Sequence, residues 1–431
     1  MCRKRNRHFL FTEVKFNHNL GYLQFCDKDL AMKNSISALN DIILHAYNET
    51  DYYRQLFDER EICANGIKTK EDLASIPFLT RDELQEKESI FLAKQYHKFP
   101  YKAKLQLRRA ITTSGHIMKI YWDEDDDISS ATNLSKLRNE WYKINEGMNF
   151  CAFHSSRYIG NRLTYHKEKV ASQNGNFLSY SIFGLTEERI KDCFEYMSEI
   201  GTAWLSLRPS IAILLAEAIK KNNLPLPPTL RYIELSGEVM QEDQREFIRE
   251  VFRTDVAYLY RSDEIGSAAY ECRHNSLHIL ENNVEIEVIG NNQPIENEIG
   301  ELCVTTILNH AMPLIRLRTG DTGKILYDSC PCGSKAPTLR LINGYPCEFY
   351  LTKSNQKISG TVLAFLVEQT NEFMSGAIRK FHFTQNEPGS FTVDLMLKQA
   401  YENWQKAIIE TFLSNITEPG LKDAKWNFNF L

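Results

Sequence analysis

The sequence predicts an α/β fold: a large N-terminal α/β domain with a helical start and mixed sheets, followed by a small α+β domain. Three observations predict it. From about Ala110 onward, short apolar runs alternate with amphipathic helical patterns, as in a sheet covered by helices. Two later runs, residues 284–289 and 301–306, alternate polar with apolar residues, as half-exposed antiparallel strands do. The chain has 431 residues, 43% hydrophobic and 25% charged, which is ample for more than one core.

Residues 1–105 read as mainly helical. Leu39, Ile42, Ile43 and Ala46 recur at helical spacing, and Thr80-Arg81-Asp82-Glu83 has the form of a capping box after Pro77. This part carries no obvious reactive constellation and is expected to serve as scaffold or lid. Thr186-Glu187-Glu188 opens an amphipathic helix; residues 231–235 predict a strand, 242–252 a helix and 256–260 the next strand. Such alternation puts ligands at the carboxyl ends of the strands. Asn291-Asn292 and Glu298-Ile299-Gly300 mark turns between the later strands. The pattern breaks at Asn343-Gly344-Tyr345-Pro346, which predicts a boundary between residues 1–343 and 344–431, with glycine permitting a hinge.

A net charge of -5 without large blocks argues against a surface that coats nucleic acid, and Arg3-Lys4-Arg5-Asn6-Arg7 is a short, solvated basic cluster. No apolar stretch approaches the roughly 20 residues that span a bilayer, and no apolar segment follows the basic start as in a signal peptide. A cytoplasmic protein is expected. The ten cysteines are scattered, and Cys26, Cys151, Cys193 and Cys303 sit in apolar runs as reduced core thiols do.

Cys272, Cys330 and Cys332 are different. Cys272-x5-His278 precedes a strand and Cys330-Pro-Cys332-Gly follows a Gly-Asp turn, so two short chelating pairs can meet across one sheet. Cys272, His278, Cys330 and Cys332 would make a closed tetrahedral zinc site of structural type, with His274 as the alternative fourth ligand. Just upstream, residues 311–321 read A-M-P-L-I-R-L-R-T-G-D, a strand-like run ending on Asp321. A carboxylate held on such a turn only accepts hydrogen bonds and can grip the vicinal hydroxyls of a ribose. Ser236-Gly237-Glu238 and Tyr260-x-x-x-Glu264 keep it company.

With Thr113-Ser114-Gly115, these motifs resemble the phenylacetate CoA ligase family and its relatives in capsule clusters, within the adenylate-forming superfamily. The helical start, with Asp51-Tyr52-Tyr53-Arg54 and Leu79-Thr80-Arg81-Asp82-Glu83-Leu84, resembles that family too, so the likeness covers nearly the whole chain. The resemblance implies a large domain binding ATP and a carboxylic acid, and a mobile domain over 344–431 that rotates between two half-reactions. The first makes an acyl adenylate; the second passes the acyl group to a thiol, usually coenzyme A. The resemblance gives Tyr260 the adenine, Ser236, Gly237 and Glu238 the neighbouring turn, Asp321 the ribose, Ser114 and Gly115 the phosphates, and Glu264 the Mg²⁺. Lys119 and Lys422 would be catalytic cations, since attack at the α-phosphate needs positive charge against the spreading negative charge.

The chain departs from the family pattern at four places. His116, Ile117 and Met118 replace the later hydroxyl and glycine positions of the phosphate loop, which predicts a stiffer, more apolar loop; His116 could donate to phosphate or be structural. Arg261 and Asp263 stand where the family has glycine and a hydroxyl residue, and Asp263 is carried as a nucleotide-site candidate. Gly344-Tyr345-Pro346-Cys347-Glu348 replaces the acidic hinge string, leaving Glu348 for that role. Near the end, Gly420-Leu421-Lys422-Asp423-Ala424-Lys425 gives Lys422 as the terminal lysine, with Lys425 a substitute.

The expectation is therefore an ATP- and Mg²⁺-dependent ligase that activates a carboxylic acid. Two alternatives stand beside it: a noncatalytic nucleotide- or acyl-binding subunit, and an acyltransferase that uses preformed adenylate. Residues before Ser236 and around Phe153-His154-Ser155-Ser156-Arg157 are expected to line the acyl pocket, with His154 or Arg157 meeting a carboxylate or phosphate, or lying on the surface. Candidate partners are a small carboxylic acid, an acceptor (coenzyme A, a carrier-protein thiol, an amine or a hydroxyl) and a second copy of the chain. Neither nucleic acid nor a membrane is expected.

Overall fold

The computed structural model describes residues 28–112, 115–154 and 177–431. The expectations placed on residues 3–7, Cys26, Thr113, Ser114, Ser155, Ser156 and Arg157 lie outside the described residues.

Among the described residues, twelve strands form one mixed sheet. Five run parallel, side by side: Phe177–Ser181, Phe150–His154, Trp204–Leu207, Tyr232–Ser236 and Asp255–Ser262. The sheet then turns antiparallel through Gly266–Glu271, Leu277–Ile279, Thr338–Asn343, Leu317–Leu326, Gly300–Thr306, Val284–Gly290 and Gln293–Pro294. The parallel strands are almost continuously buried, as strands covered by helices must be. Helices Pro209–Asn222 and Glu242–Phe252 pack on this part, and Glu124–Tyr142 lies on Gly266–Glu271. Trp141, Tyr142, Trp204, Tyr232 and Tyr270 build an aromatic core there.

The helical start takes the form its sequence predicts. Thr80 caps Arg81–Glu86 by accepting from the Glu83 amide, and Thr50 caps Asp51–Glu59 in the same way from Tyr53. This part supports residues 311–317: the Tyr53 hydroxyl accepts from the Ile315 amide at 2.7 Å, Leu79 bridges Leu317, and the Ala93 amide donates to Ala311.

That support corrects one expectation. Residues 311–316 are a buried irregular segment and the strand begins at Leu317. Arg316 has a left-handed backbone (φ 54°) and is 2% exposed. Its guanidinium binds Glu287 twice at 2.9 Å and the Ile76 carbonyl at 2.6 Å, so this arginine is spent on packing. Asp321 does not lie on a turn after a strand either. Glu301 pairs with Thr322 and Cys303 with Arg318, so Thr319, Gly320 and Asp321 together face the single residue Leu302. This is an enlarged bulge, and Gly320 at φ 73° supplies the left-handed step.

Residues 349–431 form two small sheets with helices. Phe349–Leu351 pairs with Lys357–Ser359, helix Gly360–Phe373 follows, and Ile378–Glu387, Ser390–Leu397 and Lys425–Phe430 make a three-stranded sheet backed by Gln405–Asn415.

Candidate active site

The bulge aims Asp321 at Tyr260. The Tyr260 hydroxyl donates to Asp321 Oδ2 at 2.7 Å, while the Thr319 hydroxyl donates to Leu302 and accepts from the Asp321 amide. Burial pushes the Asp321 carboxyl up to about 6, against the Tyr260 hydrogen bond, which lowers it. An acceptor held in a pocket that destabilises its charge is poised for donors from a ligand. A Cβ on Gly344 would lie 3.0 Å from Asp321 Oδ1, so the 344–348 segment passes directly over this pocket. Val239 exchanges backbone bonds with Tyr345 and Cys347, which ties that segment to the Ser236–Gly237–Glu238 turn.

Glu264 is 2% exposed and pairs with Arg81 at 3.2 Å. The Arg81 Nε is buried without a hydrogen-bond partner. Arg81 is a residue the sequence reading missed; it occupied the first turn of a recognised capping box, and only the fold brings it beside a carboxylate 183 positions away. Asp263 sits next to this pair. Its carbonyl accepts from the Trp122 indole at 3.0 Å, and burial pushes its carboxyl up.

Glu238 was expected to line the base pocket. Its carboxylate instead accepts from the amide and hydroxyl of Ser210, each at 2.8 Å, and from the Thr361 hydroxyl, and Ser210 also bonds Ser359 at 2.7 Å. At 1% exposure it is a knot between helices Pro209–Asn222 and Gly360–Phe373. Ser236 is half-buried. Gly237 adopts φ 86°, with its carbonyl accepting from Arg208 at 3.3 Å. The Tyr258 hydroxyl fixes the same turn by donating to the Glu238 carbonyl. Cys347 in the altered hinge is half-buried, and Glu348 receives the Tyr350 hydroxyl at 3.4 Å.

At the phosphate loop, Gly115 pairs with the strand Ile378–Glu387. The Phe381 amide donates to Gly115 O at 3.1 Å, and a Cβ on Gly115, whose φ is 76°, would sit 2.0 Å from Phe381 O. His116 is buried and meets Asp82 at 3.1 Å, and Asp82 also binds Arg379 and Lys380. His116 thus has a structural partner in place. The hydrogen bonds from His116 and Lys380 hold the Asp82 carboxyl down at about 2 against the desolvation that would raise it. Lys119 reaches Glu88 at 3.8 Å. Lys422 is exposed on the short helix Pro419–Lys422, and no hydrogen bond or ion pair links it to the other candidates among the described residues. Tyr260, Asp321, Arg81 and Glu264 are brought together; Gly115, Lys119 and Lys422 stand apart from them.

The four zinc candidates converge: all their donor atoms lie within 4.8 Å of one another. Cys272 Sγ is 3.7 Å from Cys330 Sγ, and Cys332 Sγ is 3.2 Å from His278 Nε2. Zn–S bonds of about 2.3 Å at a tetrahedral angle call for S···S of about 3.8 Å, so the donor set fits. His278 Nδ1 is engaged by the Ala336 carbonyl at 3.0 Å, which leaves Nε2 for a metal. His274 is not among the converging donors.

No family model matches the chain. Two curated proteins are similar to it. The phenylacetate-coenzyme A ligase of Thermus thermophilus is 23% identical over 308 residues, 68% of this chain and 66% of that one. The phenylacetate-coenzyme A ligase of Pseudomonas putida is 22% identical over 312 residues, 69% and 67% of the two chains. The matches therefore span about two thirds of these curated relatives. Among solved structures, 2-hydroxyisobutyryl-CoA ligase with 2-HIB-AMP and CoA in its thioesterification state superposes at a TM-score of 0.62 with 16% identity, covering 97% of this chain and 93% of that one. The same ligase in its postadenylation state gives 0.61 at 15%, covering 97% and 91%. The chain is similar in sequence to phenylacetate-CoA ligases. It shares the fold of 2-hydroxyisobutyryl-CoA ligase, and two strands of its large sheet bring Tyr260 and Asp321 into contact. Among its described residues no helix is long and apolar enough to cross a membrane.

Proposed function

We propose that this protein activates a carboxylic acid with ATP as an acyl adenylate and passes the acyl group to coenzyme A or another thiol, amine or hydroxyl. The single observation that carries the reading is the Tyr260–Asp321 contact on the bulge, with Arg81 and Glu264 beside it. In the first half-reaction an acid oxygen attacks the α-phosphorus, pyrophosphate leaves, and a mixed anhydride remains. In the second the acceptor attacks the acyl carbon and AMP leaves. Asp321 would accept from the ribose hydroxyls, Tyr260 would flank the adenine, and the Ser236–Gly237 backbone would border it. Glu238 would set the shape of that turn from behind.

Glu264, with Asp263 next to it, fits a Mg²⁺ site as a buried carboxylate whose present partner, Arg81, can turn to phosphate. Bound Mg²⁺ would supply charge neutralisation on the triphosphate. Lys119 and Lys422 would add positive charge at the phosphates, and Lys422 can do so only after residues 344–431 move relative to the sheet. Ser114 and Gly115 would then form the phosphate loop once Phe381 withdraws. A structural zinc at Cys272, His278, Cys330 and Cys332 would clamp the segment after Glu264 to the one after Asp321. A cytoplasmic location fits the buried free thiols Cys151, Cys193 and Cys303.

Acid-dependent exchange of labelled pyrophosphate into ATP over a broad acid panel tests this reading. Exchange that Glu264→Gln lowers by about 100-fold or more is expected; no exchange with any acid, in protein that demonstrably binds ATP, sinks it. The closed state of Gly115 against Phe381 and the pinning of His116 by Asp82 favour a second reading, a noncatalytic nucleotide- or acyl-binding subunit. Product from synthetic acyl-AMP but none from ATP plus acid would instead point to an acyltransferase.

A further inference from the structure

We propose that Trp122, on the acid-activating reading above, is a positioning residue: it ties the hairpin tip that carries Asp263 and Glu264 to the strand leading out of the phosphate loop, and so sets the position of Glu264 relative to that loop. The tip joins two strands of the large sheet. Ser262 pairs with Gly266 across it, which leaves Asp263, Glu264 and Ile265 as a three-residue connection. Inside the connection, the bond from the Ile265 amide to the Ser262 hydroxyl is long, at 3.4 Å. Such a tip needs support from outside the hairpin.

Trp122 supplies that support at both ends of the connection. Its indole N–H, the only donor the side chain has, goes to the Asp263 carbonyl at 3.0 Å. Its ring lies against Gly266, where φ is 68° and a Cβ would come within 2.9 Å of the indole. Backbone and ring therefore both call for glycine there. The ring itself is 2% exposed and is held from the neighbouring strand. Arg108, diagonally across the pairing of Leu105–Ile111 with Ile117–Asp123, lies 4.8 Å over it and is anchored by Asp127.

These contacts close a circuit around Glu264. The strand Ile117–Asp123 starts directly after Gly115 and His116. At its start, Gln85 of helix Arg81–Glu86 donates to the Ile117 carbonyl at 2.9 Å. The first residue of that helix, Arg81, binds Glu264 at 3.2 Å. Near the end of the strand, Trp122 holds the residue preceding Glu264. Helix, strand and tip thus fix one another, and the phosphate loop leads into the same strand. Met118, Ile120 and Trp122 share the buried face of that strand. For burial alone an apolar side chain serves, as at the first two positions; only Trp122 adds a directional bond, and it points that bond at the tip.

Calorimetric titration with an ATP analogue bearing a methylene bridge between the α- and β-phosphorus, with and without added Mg²⁺, tests the assignment in wild type, Trp122→Phe and Gly266→Ala. Trp122→Phe removes the N–H and keeps an aromatic ring, whereas Gly266→Ala presses on the same ring from the other side. Wild type should bind the analogue more tightly with Mg²⁺ than without it. Either variant, once urea unfolding shows it folded, should cut that enhancement about 5- to 10-fold, the scale of one hydrogen bond, and leave the Mg²⁺-free affinity within about 2-fold. In pyrophosphate exchange the Mg²⁺ concentration for half-maximal rate should rise by the same factor, with most of the maximal rate recovered at saturation. A wild type indifferent to Mg²⁺, a folded variant with full enhancement, or equal losses with and without Mg²⁺ would each overturn the assignment. Enhancement that Trp122→Phe removes, without exchange for any acid, upholds the positioning role and sinks the activation reading. Exchange whose Mg²⁺ requirement neither variant alters does the reverse, and absence of both enhancement and exchange overturns both.

Discussion

Replacing Asp321 with asparagine should make the protein more stable at alkaline pH and worse at binding nucleotide. The asparagine can still accept from the Tyr260 hydroxyl, which now donates at 2.7 Å, but it carries no charge into the pocket. The carboxyl stands at about 6 in the fold against an ordinary value of 3.8, a shift worth about 3 kcal/mol at about 1.4 kcal/mol per unit. Asp321 is half-buried, so solvent screening reduces this to roughly half. Because the folded value is the raised one, the native state holds the proton more tightly. Its contribution to stability is full below 3.8 and is lost as pH rises through about 6. The substituted amide does not titrate, so the variant's advantage is greatest above that window and should shrink by about half between pH 8 and pH 5. Equilibrium urea unfolding at the two pH values, with unchanged m-values, reads it out. Loss of charge-assisted bonds to the ribose should weaken ATP about 10- to 100-fold, and wild-type affinity should fall as pH drops below about 6. A variant less stable than wild type at pH 8, or one that binds ATP equally well, refutes the reasoning.

Protein purified without chelator should hold about one zinc per chain by elemental analysis, and Cys332→Ser should reduce it and lower the thermal midpoint; a metal content unaffected by the substitution defeats the site. Gly115→Ala places a Cβ where only 2.0 Å separates it from Phe381 O, at φ 76°, so faster amide exchange across residues 111–118 and 378–383 is expected, and unchanged protection contradicts the closed loop. Glu238→Gln puts amide hydrogens against the Ser210 amide and should cost about 1–3 kcal/mol in urea unfolding; a Ser210→Ala double-mutant cycle with no coupling would remove the knot. Lys422→Ala should slow pyrophosphate exchange about 100-fold while sparing the thioester step from synthetic adenylate, and equal effects on both steps exclude it as the adenylation cation.

The elements were legible where local chemistry acts alone. The 242–252 helix and the Thr80 cap appear where the pattern put them, because capping and amphipathic spacing are decided within a few residues. The four zinc candidates were legible because thiols and imidazole at chelating spacing have few other uses. The bulge was not: Thr319-Gly320-Asp321 reads as a turn, and only the pairing of Glu301 and Cys303 with the opposite strand reveals three residues facing one. Arg81 and the Glu238 knot were hidden for a related reason. Their partners, Glu264 and Thr361, are 183 and 123 positions away, and no local period records such distances. The role of Arg316 was hidden in the same way, since Glu287 and Ile76, which hold it, lie 29 and 240 positions away.

Thr319, Gly320 and Asp321 stand opposite one residue, two more than the ladder needs, which gives the segment a property unlike that of ordinary loops. A loop absorbs insertions and deletions at its ends without moving the sheet, whereas length here is counted against Leu302. Deleting one residue between Arg318 and Thr322 would either withdraw the carboxylate from Tyr260 or shift every later pair with Gly300–Thr306 and Thr338–Asn343. In descendants of this sequence, length change should therefore accumulate in the 291–299 and 327–336 connections and be purged from residues 318–322. The spacing of those five residues should be inherited as a unit.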